Sequence, residues 1–235
     1  MNDDKILNLS NTTAILLAAG NSERMGTNKM LLELCSKTAI EWSIRALVSA
    51  GIRSIIVTVS DATCPVVQSL SNTYCDVDIK TVFGGKTRAM SVLNALRVCP
   101  PCEIVIIHDA ARCLVTPKII SASVRLACEH GCAIAMAPAR DTIRSLYTHD
   151  IINREEYALI QTPQTFRYDT ILKAYEAANL LDGTIQNQDD CAVYQRYGQE
   201  PYYFDEGILN QKLTYPSDIL FFSAVLKERS DKICE

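Results

Sequence analysis

The run TAILLAAGNSERMGTNK, residues 13–29, decides the architecture. It opens with six small or apolar residues in unbroken succession and ends its hydrophobic part at Ala19-Gly20. A strand wetted on one face would alternate polar and apolar positions, so an unbroken run predicts a strand covered on both faces, the habit of a parallel sheet. Outward from it, residues 38–50 repeat apolar side chains at helical spacing through Ile40, Ile44, Leu47 and Val48, with Gly51 as the stop. Residues 54–59 read as a strand, 66–70 as helix, 77–82 as a strand, 87–98 as a helix after a Gly-Gly turn, and 103–107 as another buried strand. Residues 117–129 form a helix opened by Thr116 as N-cap with proline in the first turn, and 133–137 the strand after it. Strand and helix in alternation predict one α/β domain over residues 1–235, built on a doubly wound sheet.

Residues 140–160 interrupt this rhythm, with mixed polar residues, a turn at Tyr147-Thr148-His149-Asp150 and no helical stripe, and are read as an extended arm or hairpin. Helices follow at 168–179 and 189–197, a strand near Tyr202, and a last helix at 217–227.

With a net charge of −4 and a pI near 5.5, the chain lacks the cationic field that a general nucleic-acid or membrane-surface binder needs. No apolar run approaches the roughly 20 residues that span a bilayer, and MNDDKILNLSNT lacks the basic end and long apolar stretch of a secretion signal. The expectation is a soluble cytoplasmic protein. Ten cysteines are scattered through the predicted elements, and Cys99-Pro-Pro-Cys102 alone has metal or redox spacing. It lacks the second pair of ligands that a tetrahedral zinc site requires, so reduced packing cysteines are expected.

Four patches carry chemistry. The loop after the first strand lies at the carboxyl end of the sheet, where ligands collect in doubly wound folds. Gly20 and Gly26 let its backbone turn N–H groups toward phosphate, and Arg24 and Lys29 supply cations. Its glycine spacing fits neither the dinucleotide fingerprint nor a P-loop, which disfavours a nicotinamide-dependent dehydrogenase. In FGGKTRAMS, residues 83–91, the two glycines permit close backbone approach, Ser91 offers a hydrogen bond, and Arg88 is placed to orient the loop or a nucleotide. In IIHDAAR, residues 106–112, a strand ends in His108 and Asp109, an aspartate placed either to hold Mg²⁺ or to tie down the loop. Before the last helix, NQKLTYPSD presents Lys212 on what reads as a short strand.

In this order, and together with Asp141-Thr142 and Thr162-Pro163-Gln164, the patches resemble the 2-C-methyl-D-erythritol 4-phosphate cytidylyltransferase family over nearly the whole chain. The resemblance implies a Rossmann-like fold whose protruding β-arm joins two subunits, and a Mg²⁺-dependent reaction of CTP with a sugar-alcohol phosphate. By the same resemblance Arg24, Lys29 and Lys212 hold the triphosphate and stabilise charge at the α-phosphorus. Ala18, Ala19, Gly20, Asn21, Gly85, Arg88, Ser91 and Ala110 contact the nucleotide. Asp109, Arg112, Thr162, Gln188 and the arm's Arg154, reaching into the neighbouring subunit, contact the acceptor, with Asp109 also near the metal. Ribitol 5-phosphate is the alternative acceptor, and a nucleotide-binding protein without catalysis the alternative of another class.

Overall fold

The computed structural model describes residues 9–20, 25–178 and 189–231. Strand β1 (Thr12–Leu17) is followed by the short hairpin β2 (Glu33–Leu34) and β3 (Lys37–Thr38), helix α1 (Ala39–Ser49), β4 (Ser54–Val59), α2 (Cys64–Thr73), β5 (Asp78–Phe83), α3 (Arg88–Arg97), β6 (Ile104–Asp109), α4 (Pro117–His130) and β7 (Cys132–Pro138). Then come the two-residue strands β8 (Ile143–Arg144) and β9 (Ile151–Ile152), the long β10 (Ala158–Arg167), α5 (Tyr168–Ala177), α6 (Asp190–Arg196), β11 (Tyr203–Asp205) and α7 (Asp218–Asp231). Threonines start three of the helices: Thr38, Thr87 and Thr116 take extended backbone and accept the N–H of Glu41, Met90 and Ile119. Each satisfies a donor that the first helical turn leaves open. At the other end of α4, Gly131 has φ 87°, a left-handed cap that other residues adopt at a cost.

Among the described residues seven strands form one sheet in the order β11-β7-β10-β6-β1-β4-β5. β1 runs parallel to both β4 and β6, with Leu17 opposite Thr58 on one side and Asp109 on the other. From β1 the chain winds outward through β4 to β5, then returns across α3 to place β6 on the opposite flank of β1. The reversal opens a crevice at the carboxyl ends of β1 and β6, the place where such sheets bind ligands. Period-two alternation fills both faces. Ala14, Leu16, Ile55, Val57, Ile104 and Ile106 pack under α1, α4 and α7, whereas Ile15, Leu17, Ile56, Val105 and Ile107 pack under α3 and α5.

Two expectations change. Residues 161–167, unassigned from sequence, belong to β10, which lies antiparallel between β6 and β7. Its polar run QTPQT gives little strand signal, yet Gln161, Thr162, Gln164 and Thr165 are all buried. Partners replace propensity: Thr165 Oγ1 donates to Ser123 Oγ at 2.9 Å, and a register shift between Ile160 and Gln164 takes Pro163 out of the ladder. Lys212 stands on irregular chain outside any strand, tied to the sheet rim where Leu213 N donates to Ala111 O at 2.8 Å. The arm survives as the β8–β9 hairpin, with Leu146 86% and Tyr147 97% exposed at its tip. No described helix is long and apolar enough to cross a membrane.

Candidate active site

The crevice holds a cavity of about 290 Å³ lined by Ala19, Gly20, Lys29, Gly85, Ser91, Asp109 and Lys212, among others. Residues far apart in the chain thus converge on the rim between β1 and β6. The first loop leaves β1 with Ala18 N donating to Thr58 O at 3.0 Å, and the loop after β6 is anchored where Ala110 N donates to Leu17 O at 3.1 Å. Ser43 Oγ donates to Ala110 O at 2.9 Å, so the buried Ala110 supports the floor from behind.

Two glycines let the β5–α3 turn close on that floor. A Cβ on Gly84 would stand 2.3 Å from the Cβ of Ala19, and one on Gly85 would stand 2.4 Å from the Cβ of Met90. Gly85 N donates to Ser91 Oγ at 3.0 Å, and Ser91 Oγ donates to Thr87 O at 3.0 Å, so the hydroxyl braces the turn. Lys86 also lines the cavity, a cation that sequence reasoning passed over although it sits directly after the Gly-Gly pair.

Asp109 is the electrostatic centre. Its Oδ2 accepts from Lys212 Nζ at 2.7 Å and lies 3.9 Å from Arg112 Nε, while Oδ1 faces Arg88 Nε at 3.4 Å. Burial alone would raise this carboxyl, but Arg88, Lys212 and Arg112 outweigh it and hold the group far below the usual carboxylate range. Arg88 is itself clamped by Asp190, with Nη1 and Nη2 at 3.0 and 2.7 Å from the two carboxylate oxygens. Asp190 is fully buried and also accepts the Tyr175 hydroxyl. Burial disfavours the charged guanidinium, yet the two aspartates raise its pKa well above the ordinary value. The clamp on Arg88 was not legible in the sequence, because no local motif links Tyr175 or Asp190 to Arg88, 102 positions away from Asp190.

His108 serves the scaffold. Its Nε2 faces Arg112 O at 3.3 Å, which requires a proton there, so Nδ1 accepts from Thr162 Oγ1 at 3.0 Å. Burial lowers the ring's pKa to about 4, keeping it neutral in that tautomer. Thr162 Oγ1 in turn accepts from Asp109 N at 3.0 Å, and the side chain is buried. The hydroxyl assigned to the acceptor by resemblance therefore has its proton committed inside the protein.

A second, open cavity of about 720 Å³ abuts the first, lined by Arg112, Asp141, Gln161, Ile143, Lys212 and Thr214 among others. Lys212 lines both. Arg112 reaches Asn210 O with Nη1 at 3.0 Å, and Asn210 Nδ2 donates to Thr162 O at 2.8 Å, so the Lys212 segment is tied to β6 and β10 together. Beside it Glu206, which also accepts from Asn210, is pushed up to about 7 by burial. Arg154 stands outside both cavities, in the arm, where its Nη1 donates to Arg140 O at 2.5 Å. Arg24, Asn21 and Gln188 lie outside the described residues.

The donors among the described residues do not by themselves make a resident Mg²⁺ site. Among the described residues Asp109 is the one carboxylate lining the smaller cavity, its oxygens face three cationic side chains, and no group of three or more His, Cys, Asp or Glu side chains is arranged for a metal.

Comparison with known proteins adds the family context. The family model described as "2-C-methyl-D-erythritol 4-phosphate cytidylyltransferase" matches residues 12–228. Curated relatives bearing that name are 31% identical over 228 residues in Clostridium novyi (strain NT), covering 93% of this chain and 98% of the relative. In Alkaliphilus oremlandii (strain OhILAs) the identity is 33% over 234 residues, with 95% and 98% covered. The fold matches the crystal structure of a 4-diphosphocytidyl-2C-methyl-D-erythritol synthase from Anaerococcus prevotii, with TM-score 0.81 at 22% identity over 93% of this chain and 99% of that one. It also matches a 2-C-methyl-D-erythritol 4-phosphate cytidylyltransferase from Thermus thermophilus, with TM-score 0.75 at 23% identity over 91% and 98%.

Proposed function

The chain belongs to the 2-C-methyl-D-erythritol 4-phosphate cytidylyltransferase family, and from that membership we propose how its residues transfer a cytidylyl group from CTP to 2-C-methyl-D-erythritol 4-phosphate, releasing pyrophosphate. One observation carries the reading: Lys212 is the shared wall of two adjoining cavities, one floored by glycine turns and one open toward the arm. CTP occupies the first, with Gly85, Ser91 and Arg88 on its base side and the Ala18 to Asn21 backbone with Arg24 and Lys29 on its phosphates. The acceptor occupies the second, beside Arg112, with Gln188 and a partner subunit's arm completing it.

The acceptor's phosphate oxygen is already anionic and needs no base. It attacks the α-phosphorus in line, the new P–O bond forms as the bridge to the β-phosphate breaks, and pyrophosphate departs with that electron pair. The barrier is repulsion between anions plus alignment, so fixed cations lower it. Asp109 fixes Lys212 and Arg112 rather than acting on phosphorus, and Thr162 acts through Asp109 by holding its backbone. Mg²⁺, if bound together with the triphosphate, would add to the neutralisation of phosphate charge that Lys29 and Lys212 provide.

In the homodimer proposed from family membership, the arm's exposed Leu146 and Tyr147 are the apolar side chains a partner would cover. Removing the Arg154 guanidinium is then expected to raise KM for the acceptor and leave KM for CTP unchanged. Equal change in both constants, measured by steady-state kinetics of Arg154→Ala, contradicts the arm's role.

The direct test is pyrophosphate release from CTP with each acceptor. The expected result is turnover with 2-C-methyl-D-erythritol 4-phosphate and little with ribitol 5-phosphate; binding of CTP without turnover on either would return the case to a non-catalytic nucleotide binder. Gly84→Ala tests the nucleotide floor. Forcing a methyl into the 2.3 Å approach to Ala19 must push the two loops apart, at a cost to stability of about 1–3 kcal/mol, and CTP affinity by calorimetry should weaken as the floor is displaced.

A further inference from the structure

Cys99-Pro-Pro-Cys102, which the transferase chemistry leaves unused, fills the turn between α3 and β6. The two Sγ atoms are 3.7 Å apart and both side chains are partly exposed. Among the described residues no other two thiols are hydrogen-bonded to one another, and Cys113, Cys132 and Cys191 are buried. The intervening prolines have φ fixed near −65°, and each disfavours helical backbone in the residue before it. The thiols are thus held together by a stiff turn, and a covalent bond needs their sulfurs to close to about 2.05 Å. The pair sits at the start of β6, whose six residues put it roughly 20 Å from Asp109 at the other end.

We propose that Cys99 and Cys102 are a reversible thiol–disulfide exchange site that reacts with low-molecular-weight disulfides. The Cys102 thiolate attacks one sulfur of such a disulfide, forming a mixed disulfide and expelling one thiolate. Cys99 then attacks the Cys102 sulfur, its proton passing to a departing thiolate, and the second small thiol leaves. The two protein sulfurs are oxidised by two electrons, the small disulfide is reduced to two thiols, and the Cys99–Cys102 bond remains. The order of attack follows from the surroundings. The hydrogen bond the two thiols share holds Cys102 below the usual thiol range against the opposing effect of burial, helped by Thr13, whose backbone hydrogen bond goes to Cys102, while Cys99 is pushed up. The geometry thus favours Cys102 as the nucleophile and Cys99 as the resolving thiol.

The experiment uses fully reduced, full-length protein exposed to oxidised glutathione without oxygen, quenched with iodoacetamide and digested with trypsin. Both cysteines fall in one peptide, residues 98–112. The expected product is that peptide two hydrogens lighter than the dithiol, carrying neither glutathione nor alkyl groups, and returned to the dithiol by dithiothreitol. In Cys99→Ser the glutathione should stay attached to Cys102, and in Cys102→Ser the peptide should remain unmodified over the same interval. Recovery of the wild-type peptide doubly alkylated, or with stable glutathione on both sulfurs, overturns the proposal, and this readout does not depend on either variant folding.

Discussion

Lys212→Ala is expected to lower kcat by about 10²–10³-fold, the loss that follows removal of one preorganised donor at developing charge. Lys212 Nζ sits 2.7 Å from Asp109 Oδ2 and bounds both cavities, which in the proposed reaction puts it where charge builds as the bridge to the β-phosphate breaks. In the free enzyme its charge is balanced by Asp109, and the arriving triphosphate competes for it. A cation held this way is in position before the ligand arrives, which is what distinguishes preorganisation from simple attraction. Truncation leaves Asp109 with Arg88 and Arg112, so the carboxylate is not abandoned and the fold should persist. Steady-state kinetics with a matched thermal melt separate the two effects: kcat collapses while the melting temperature moves little. A variant with near-normal kcat would remove Lys212 from the chemistry, and one with normal kcat but raised KM would reassign it to uniform binding.

The legible parts of the molecule were those whose signals are local. An unbroken apolar run gave β1, helical periodicity gave α1, the Gly-Gly turn marked the start of α3, the Thr116 cap with proline gave α4, and alternation of strand and helix gave the doubly wound sheet. Strand β10 was hidden because its middle is polar, and only the tertiary partners of Gln161, Thr162, Gln164 and Thr165 make burial of those residues tolerable. The same division holds at the site. Lys29 and Asp109 stand at strand or loop ends marked by glycine or by a break in hydrophobicity, whereas Asp190, Tyr175 and Asn210 acquire meaning only across long sequence separations. His108 shows the converse: a histidine beside an aspartate invites a catalytic reading, and its two ring nitrogens are both spent on Thr162 and Arg112.

Asp190 supplies the larger prediction for stability. Its carboxylate is wholly buried and accepts both terminal nitrogens of Arg88 together with the Tyr175 hydroxyl, so Asp190→Ala leaves a guanidinium and a phenol without their main partner at one stroke. Breaking a buried pair from one side costs about 3–5 kcal/mol, because the surviving charge keeps its desolvation penalty and loses its compensation. Arg88 retains Asp109 at 3.4 Å and part of its surface in solvent, which places the expected loss near the lower end, about 3 kcal/mol. For a chain of this size that corresponds to a fall in Tm of roughly 6–12 °C. A double-mutant cycle identifies the cause. If the cost is the orphaned cation, Arg88→Ala added to Asp190→Ala should recover part of the lost stability, and the two single losses should sum to more than the double. If the cost were only a void at α6, removing Arg88 would enlarge it and the losses would add. Turnover gives an independent reading of the same clamp: Asp190→Ala frees Arg88 to swing from the nucleotide side of the cavity, so KM for CTP should rise even at temperatures where the variant is fully folded, and an unchanged KM would confine Asp190 to the scaffold.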